Sequence, residues 1–193
     1  VGLGKGVGGY EKITSLQLAS NDLGKASAAA LKQLLWGERA PCVLQSLNLS
    51  NNVGLDGFDT ALAVKRNESL TSLDLRDLPT ANTDAVFDFF ASFLLHDDNR
   101  CQLGLLSCDE FQVHEGSEEL ILKGAVRTPC FKLLAGVLKY NATLKRLQLA
   151  PTGFDGTAAG FFNPALQSNR TLAHLALSGN PIAHEENTAG ISL

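Results

Sequence analysis

The sequence predicts an α/β fold, a right-handed, curved solenoid of about five to six stacked repeats, with a parallel sheet on the concave face and helices on the convex face. Three observations predict it. A phrase of the form apolar-x-x-Leu-x-Leu, followed three residues later by a small polar residue, returns along the chain as Ile13-Leu16-Leu18-Asn21, Leu44-Leu47-Leu49-Asn52, Leu70-Leu73-Leu75-Leu78, Leu103-Leu105-Cys108, Leu144-Leu147-Leu149-Thr152 and Leu172-Leu175-Leu177-Asn180. Such self-similarity means stacked units, each burying its apolar face only against its neighbours. The first Leu of each Leu-x-Leu pair recurs at steps of 31, 26, 30, 44 and 28 residues, and periods in the upper twenties leave room for a helix between strands. The segments between the phrases carry helical rather than alternating spacing, so strand, loop and helix alternate and the strands should be parallel.

The elements follow in order. Residues 1–9 form a Gly-rich leading segment, and residues 10–193 the repeat domain. Gly4-Lys5-Gly6-Val7-Gly8-Gly9 matches G-x-G-x-x-G, but no strand precedes it and a strand rather than a helix follows, so it reads as a flexible lead-in. Ala26 to Trp36 is rich in strong helix formers, with Ala30, Leu31, Leu34 and Leu35 on one face. Leu78 stands where the third phrase should place a polar residue, and Pro79 follows, which predicts a locally irregular turn. Asn82 or Thr83 can cap a helix whose Val86, Phe87, Phe90, Phe93 and Leu94 form a broad apolar face.

Phe89 cannot share that face, because positions 87 and 89 lie about 200° apart on a helix; a neighbouring subunit and a thick core under a bulky helix are the two readings. The stretched step contains an insertion at about 109–124, where Phe111-Gln112-Val113 and Leu120-Ile121-Leu122 flank an acidic turn and read as a small hairpin or flap. Thr128-Pro129 is a cap followed by a first-turn signal, and Phe131, Leu134, Ala135 and Leu138 continue with helical period. The last repeat stops inside its expected helix, His184 to Leu193, without a polar cap, and the chain starts at Val1 with no Met, as expected of a piece of a longer protein.

The segments Asn67-Glu68-Ser69-Leu70-Thr71-Ser72-Leu73-Asp74-Leu75, Asn141-Ala142-Thr143-Leu144-Lys145-Arg146-Leu147-Gln148-Leu149 and Asn169-Arg170-Thr171-Leu172-Ala173-His174-Leu175-Ala176-Leu177 resemble the N-x-[ST]-L-x-x-L-x-L core of leucine-rich repeats. The subtype they resemble most is that of ribonuclease inhibitor, shared with NOD-like receptors, the Ran GTPase-activating protein and cytoskeletal and ciliary proteins. The resemblance spans roughly Tyr10 to Ile182. It implies a ladder in which the polar residue after each strand bonds neighbouring turns, filled by Asn21, Asn52 and Asn180, with Thr152 and Cys108 as substitutes.

Composition narrows the function. A net charge of −4 gives no electrostatic footprint for nucleic acid or an anionic membrane, and no apolar run approaches the length that crosses a bilayer. Cys42, Cys101, Cys108 and Cys130 show no close pairing, which favours buried thiols and a cytoplasmic location, with cytoskeletal association as one option. The sequons at Asn48, Asn67, Asn141 and Asn169 fall in the repeat consensus and are assigned to the fold. His184-Glu185 lacks the second His of a zinc-protease helix, and Cys101, Cys108, Asp109 and His114 fit no standard zinc spacing. No catalytic, cofactor-binding or metal site is expected.

Strand alternation sends the residues flanking the leucines outward on the concave sheet, in three columns. These are Ser15, Ser46, Ser72, Gln102, Arg146 and His174; Gln17, Asn48, Asp74, Gly104, Gln148 and Ala176; and Ala19, Ser50, Arg76, Leu106, Ala150 and Ser178. The protein-binding residues expected from these columns and from the insertion are Asn48, Ser72, Asp74, Arg76, Gln102, Leu106, Arg146, Gln148, His174, Phe111, Glu115, Glu118 and Glu119. The acidic insertion suggests a partner with a basic surface, with a solvated loop of no function as the alternative. The function expected is a non-catalytic scaffold or adaptor that binds other proteins within a larger assembly. The competing expectation is an enzyme regulator, either a small-GTPase activator or a hydrolase inhibitor, or the sensing domain of a NOD-like receptor.

Overall fold

The computed structural model of the protein describes residues 12–36 and 42–182; the Gly-rich leading segment and the expected helix from His184 to Leu193 lie outside them. The order is β1 (Ser15–Gln17), α1 (Ser27–Trp36), β2 (Ser46–Asn48), α2 (Gly57–Lys65), β3 (Ser72–Asp74), α3 (Asp84–Leu94), β4 (Leu105–Ser107), β5 (Gln112–Val113), β6 (Glu119–Ile121), α4 (Thr128–Tyr140), β7 (Arg146–Gln148), α5 (Gly156–Ser168) and β8 (His174–Ala176). β1 to β4 pair in parallel with Leu16, Leu47, Leu73 and Leu106 in register. β6 to β8 form a second parallel sheet with Leu120, Leu147 and Leu175 in register. Each strand is short because one inward Leu fixes it and the chain turns outward soon after, toward the helix.

Two expectations are corrected here. In the fourth repeat the inward residues are Leu103, Leu106 and Cys108, all buried, and not Leu103 with Leu105. Three leucines at 103, 105 and 106 allow two registers; the observed one aligns Leu106 with Leu73 and gives Cys108 the place of Leu75. The insertion is also not a flap. β5 turns back antiparallel to β4, and β6 then takes a full strand position beside β7, with Leu120 and Leu122 in the core. The polar Ser117 at the head of that phrase hid it. The described residues thus hold seven strands in the parallel register, β1 to β4 and β6 to β8.

The helices stack in chain order on the other side of the core. Asp56, Thr83 and Asp155 cap α2, α3 and α5 by accepting from the backbone N–H of Asp59, Val86 and Ala158. The cap of α4 is Arg127 rather than the expected Thr128, which is its first helical residue, and its side chain makes no capping bond. α4 lies so close to α3 that a Cβ on Gly136 would sit 2.8 Å from Leu94 Cβ. Phe131, Phe154 and Phe162 pack edge to face, with centroids 5.4 and 5.0 Å apart. Phe89 is half-buried between Phe93 and the exposed Phe58, with Lys65 over its ring.

Two polar ladders close the turns. Beyond the strands, Asn52 is fully buried, donates to the carbonyls of Leu18, Leu49 and Ser50, and accepts from the N–H of Asn21 and Leu23. Asn180 donates to the carbonyls of Leu149 and Leu177 and accepts from the N–H of Thr152, Gly153 and Phe154. Leu78 is buried, and Asn82, four residues on, takes over by donating to the Leu75 and Leu78 carbonyls and accepting from Asp109 N–H. Ser20, Asn51, Asp77, Gly124 and Gly179, each two residues past the last inward Leu, share a positive φ. Before the strands, Asn67, Asn141 and Asn169 cap the lead-ins to β3, β7 and β8 and donate back to Leu35, Gly104 and Leu138 respectively. Their amide nitrogens already serve the fold.

Candidate protein-binding surface

The pairing registers define the exposed face of the sheets. With each central Leu inward, its flanking residues point outward. The first row is Ser15, Ser46, Ser72, Leu105, Glu119, Arg146 and His174, and the second is Gln17, Asn48, Asp74, Ser107, Ile121, Gln148 and Ala176. The corrected fourth register replaces Gln102 and Gly104 with Leu105 and Ser107, while β6 contributes Glu119 and Ile121. Gly104 instead lies against α4, where a Cβ would come 2.5 Å from Tyr140 O.

The structure brings most of the expected residues to this face. Asn48, Ser72 and Asp74 are half-buried on β2 and β3, and Arg146, Gln148 and His174 are exposed on β7 and β8. Gln102 is exposed but sits below β4, beside a recess of about 260 Å³. Two residues do not reach the surface. Leu106 is 0% exposed and Phe111 3%, the first through the register change and the second because the chain ahead of β5 folds its ring into the core.

The charges of the face are mostly spent within the molecule. Arg76 clamps Asp74 through Nε and Nη2, at 3.0 and 2.6 Å, and reaches Gln112 at 3.4 Å. The Asp74 hydrogen bond holds the Arg76 guanidinium above its usual pKa despite some desolvation. Glu118 meets Lys145 at 2.6 Å, and that hydrogen bond holds the carboxyl below the usual range; Glu119 meets Arg146 at 3.1 Å. Arg127 joins Asp84 and Glu110. Of the acidic residues read as a lure for a basic partner, Glu110, Glu118 and Glu119 are therefore already paired, and Asp109 accepts from the Asp77 N–H. Glu115 is exposed on the turn after β5.

Among the described residues no group of three or more His, Cys, Asp or Glu is placed to hold a metal ion, and no helix is long and apolar enough to cross a membrane. The four cysteines are free. Burial pushes the thiols of Cys101 and Cys108 up to about 11, and that of Cys130 higher still.

Ahead of this surface, the first strand and helix carry the phrase that the later repeats copy. Residues 11–32 match the family model of the leucine-rich repeat. The match supports a leucine-rich-repeat protein, and the parallel strands and five helices among the described residues fit that fold. No curated protein matches the chain. Leucine-rich-repeat domains generally mediate protein–protein interaction and are typically non-catalytic. Leu105 and Ile121 are the outward strand residues that sequence reasoning missed, while Glu119 was expected from the insertion rather than from a strand. The signal that could have found Ile121 is the phrase Ser117-x-x-Leu120-x-Leu122, legible once a polar residue is allowed at its head; Leu105 had none, because its neighbour Leu106 fits the inward position equally well.

Proposed function

We propose that the protein is a non-catalytic interaction module, a right-handed, curved array of ribonuclease-inhibitor-like repeats that binds other proteins across the exposed face of its strands, as a scaffold or adaptor. The observation that carries the reading is the division of labour along each strand. Every central Leu serves packing, while most flanking residues stand outward in register, Ser107 being buried. Polar residues aligned in rows along the strands, their charges largely paired within the molecule, suit a partner that lies along the array. A cytoplasmic setting accords with four free cysteines, three of them buried. The competing reading, a GTPase activator using Arg76 or Arg146, is less favoured because both guanidinium groups are held by their own carboxylates.

The test is site-specific photo-crosslinking in cells that produce the protein. A crosslinker at Ser72 or Gln148 should trap the same partner protein, and one at Gln33 on α1 or Gln167 on α5 should not. Adducts confined to the helical positions would overturn the proposal.

A further inference from the structure

We propose that the groove between the C-terminal ends of α2 and α3 is a second binding surface, separate from the strand face, and that it takes an acidic segment of a partner protein carrying a bulky apolar side chain. Two observations on adjoining ground mark it. Among the described residues, the exposed large apolar side chains within helices are Phe58 and Leu62 alone, one turn apart on α2, and the Phe58 ring meets Phe89 of α3 at 5.9 Å between centroids. Beside this ledge opens a groove of about 790 Å³, lined by Trp36, Lys65, Arg66, Ser92, Phe93 and Arg100 among others. Lys65 joins the two, because it lines the groove and its Nζ lies 5.6 Å over the Phe89 ring.

The cations decide the kind of segment. The other described lysines within helices, Lys32, Lys132 and Lys139, each pair with an aspartate. Lys65 and Arg66 are exposed and form no salt bridge among the described residues. The Arg66 guanidinium lies 4.6 Å over the Trp36 ring, which is fixed in turn by donating from Nε1 to the Ala63 carbonyl at 3.1 Å. A guanidinium stacked by its face keeps its N–H edge open to a carboxylate. Of the carboxylates on the groove wall, Glu68 is taken by Arg100 at 2.6 Å and Asp98 is exposed. The chain as a whole carries −4, so its overall field repels an acidic ligand, and the attraction has to come from Lys65 and Arg66 at short range. An acidic segment finds there two cations that the fold leaves open, while its apolar side chain covers Phe58 and Leu62.

Panning a random-peptide display library against the chain, with the enriched sequences resynthesised as probes, tests this. One enriched group should combine Leu, Phe or Trp with Asp or Glu, and should bind at least about tenfold more weakly after Lys65→Glu with Arg66→Glu, and after Leu62→Ser, with unfolding midpoints unchanged. Should the charge reversal lower the midpoint, Arg66→Gln decides in its place and should still weaken the group. The same peptides should bind the Ser46→Arg and Gln148→Arg variants as tightly as the parent chain, which separates this groove from the strand face. Enriched sequences without acidic residues, affinity indifferent to Lys65, Arg66 and Leu62, or no enriched sequence would overturn the proposal. Peptides lost on Gln148→Arg alone would leave the strand face standing and refute the groove. A chain that dimerises in sedimentation and turns monomeric on Leu62→Ser would put a second copy on this surface and overturn the proposal as well.

Discussion

Asn52 shows how much of this fold rests on single polar residues. Its carboxamide satisfies backbone groups in two adjacent turns from a fully buried position. Asn52→Ala leaves those donors and acceptors unpaired away from water, and should cost about 3 kcal/mol in denaturant unfolding. The buried thiols give a second prediction. Their folded pKa values stand above the ordinary 9.0, at about 11 for Cys101 and Cys108. Between pH 9 and 11 the unfolded chain therefore releases protons that the folded chain keeps. Stability should be full below pH 9 and fall as pH rises, by about 1.4 kcal/mol per pH unit for each such thiol. Alkylation of the native protein at pH 8 should label Cys42, which is half-buried, well before Cys101, Cys108 and Cys130. Equal labelling of all four, read by mass spectrometry, would mean that the core around β4 is open.

The strand register makes the sharpest prediction at the level of elements. Leu106→Ala and Leu120→Ala remove fully or nearly fully buried side chains and should cost about 2–5 kcal/mol each, as should Leu73→Ala and Leu147→Ala. Leu105→Ala removes a half-buried one, and its cost should stay below about 1.5 kcal/mol. The reverse order for Leu105 and Leu106 in urea titrations would restore the register first expected from the sequence. Most repeats were legible because Leu recurs where the strand must face the core, as in Leu47, Leu73, Leu147 and Leu175. The fourth strand was ambiguous because Leu105 and Leu106 are adjacent, and spacing alone does not choose between them. β6 was read as an arm of a hairpin or flap rather than as a repeat strand because Ser117 breaks the phrase, although Leu120 and Leu122 alone hold the strand. The repair at Leu78 was equally out of sight, since Asn82 was read as a helix cap and its reach to the Leu75 and Leu78 carbonyls depends on how the turn folds.

Over the whole molecule, strands and helices fall out of step once. From β3 to β6 the strand layer gains β4 and β5, while α4 packs directly on α3. Strands sit about 4.8 Å apart and helices about 8–10 Å, so one strand per helix curves an array with the sheet inside. Extra strands against a single helix step relax that curve. The proposed array is thus expected to flatten between β4 and β6, at the same departure from the period that broke the sequence pattern. Charge pairs on the helical side, such as Lys32 with Asp59 and Lys132 with Asp88, are at least partly exposed and add little to stability, so binding rather than folding is the property the strand face should govern. The most direct test is an arginine scan of both faces in cells that produce the protein, reading co-purified proteins by quantitative mass spectrometry. Substitutions at Ser46, Ser72, Ile121 and Gln148 should remove a shared partner, while those at Gln33, Asp88 and Gln167 leave it bound. Losses that cluster on the helical positions, with the strand face indifferent, would contradict the account.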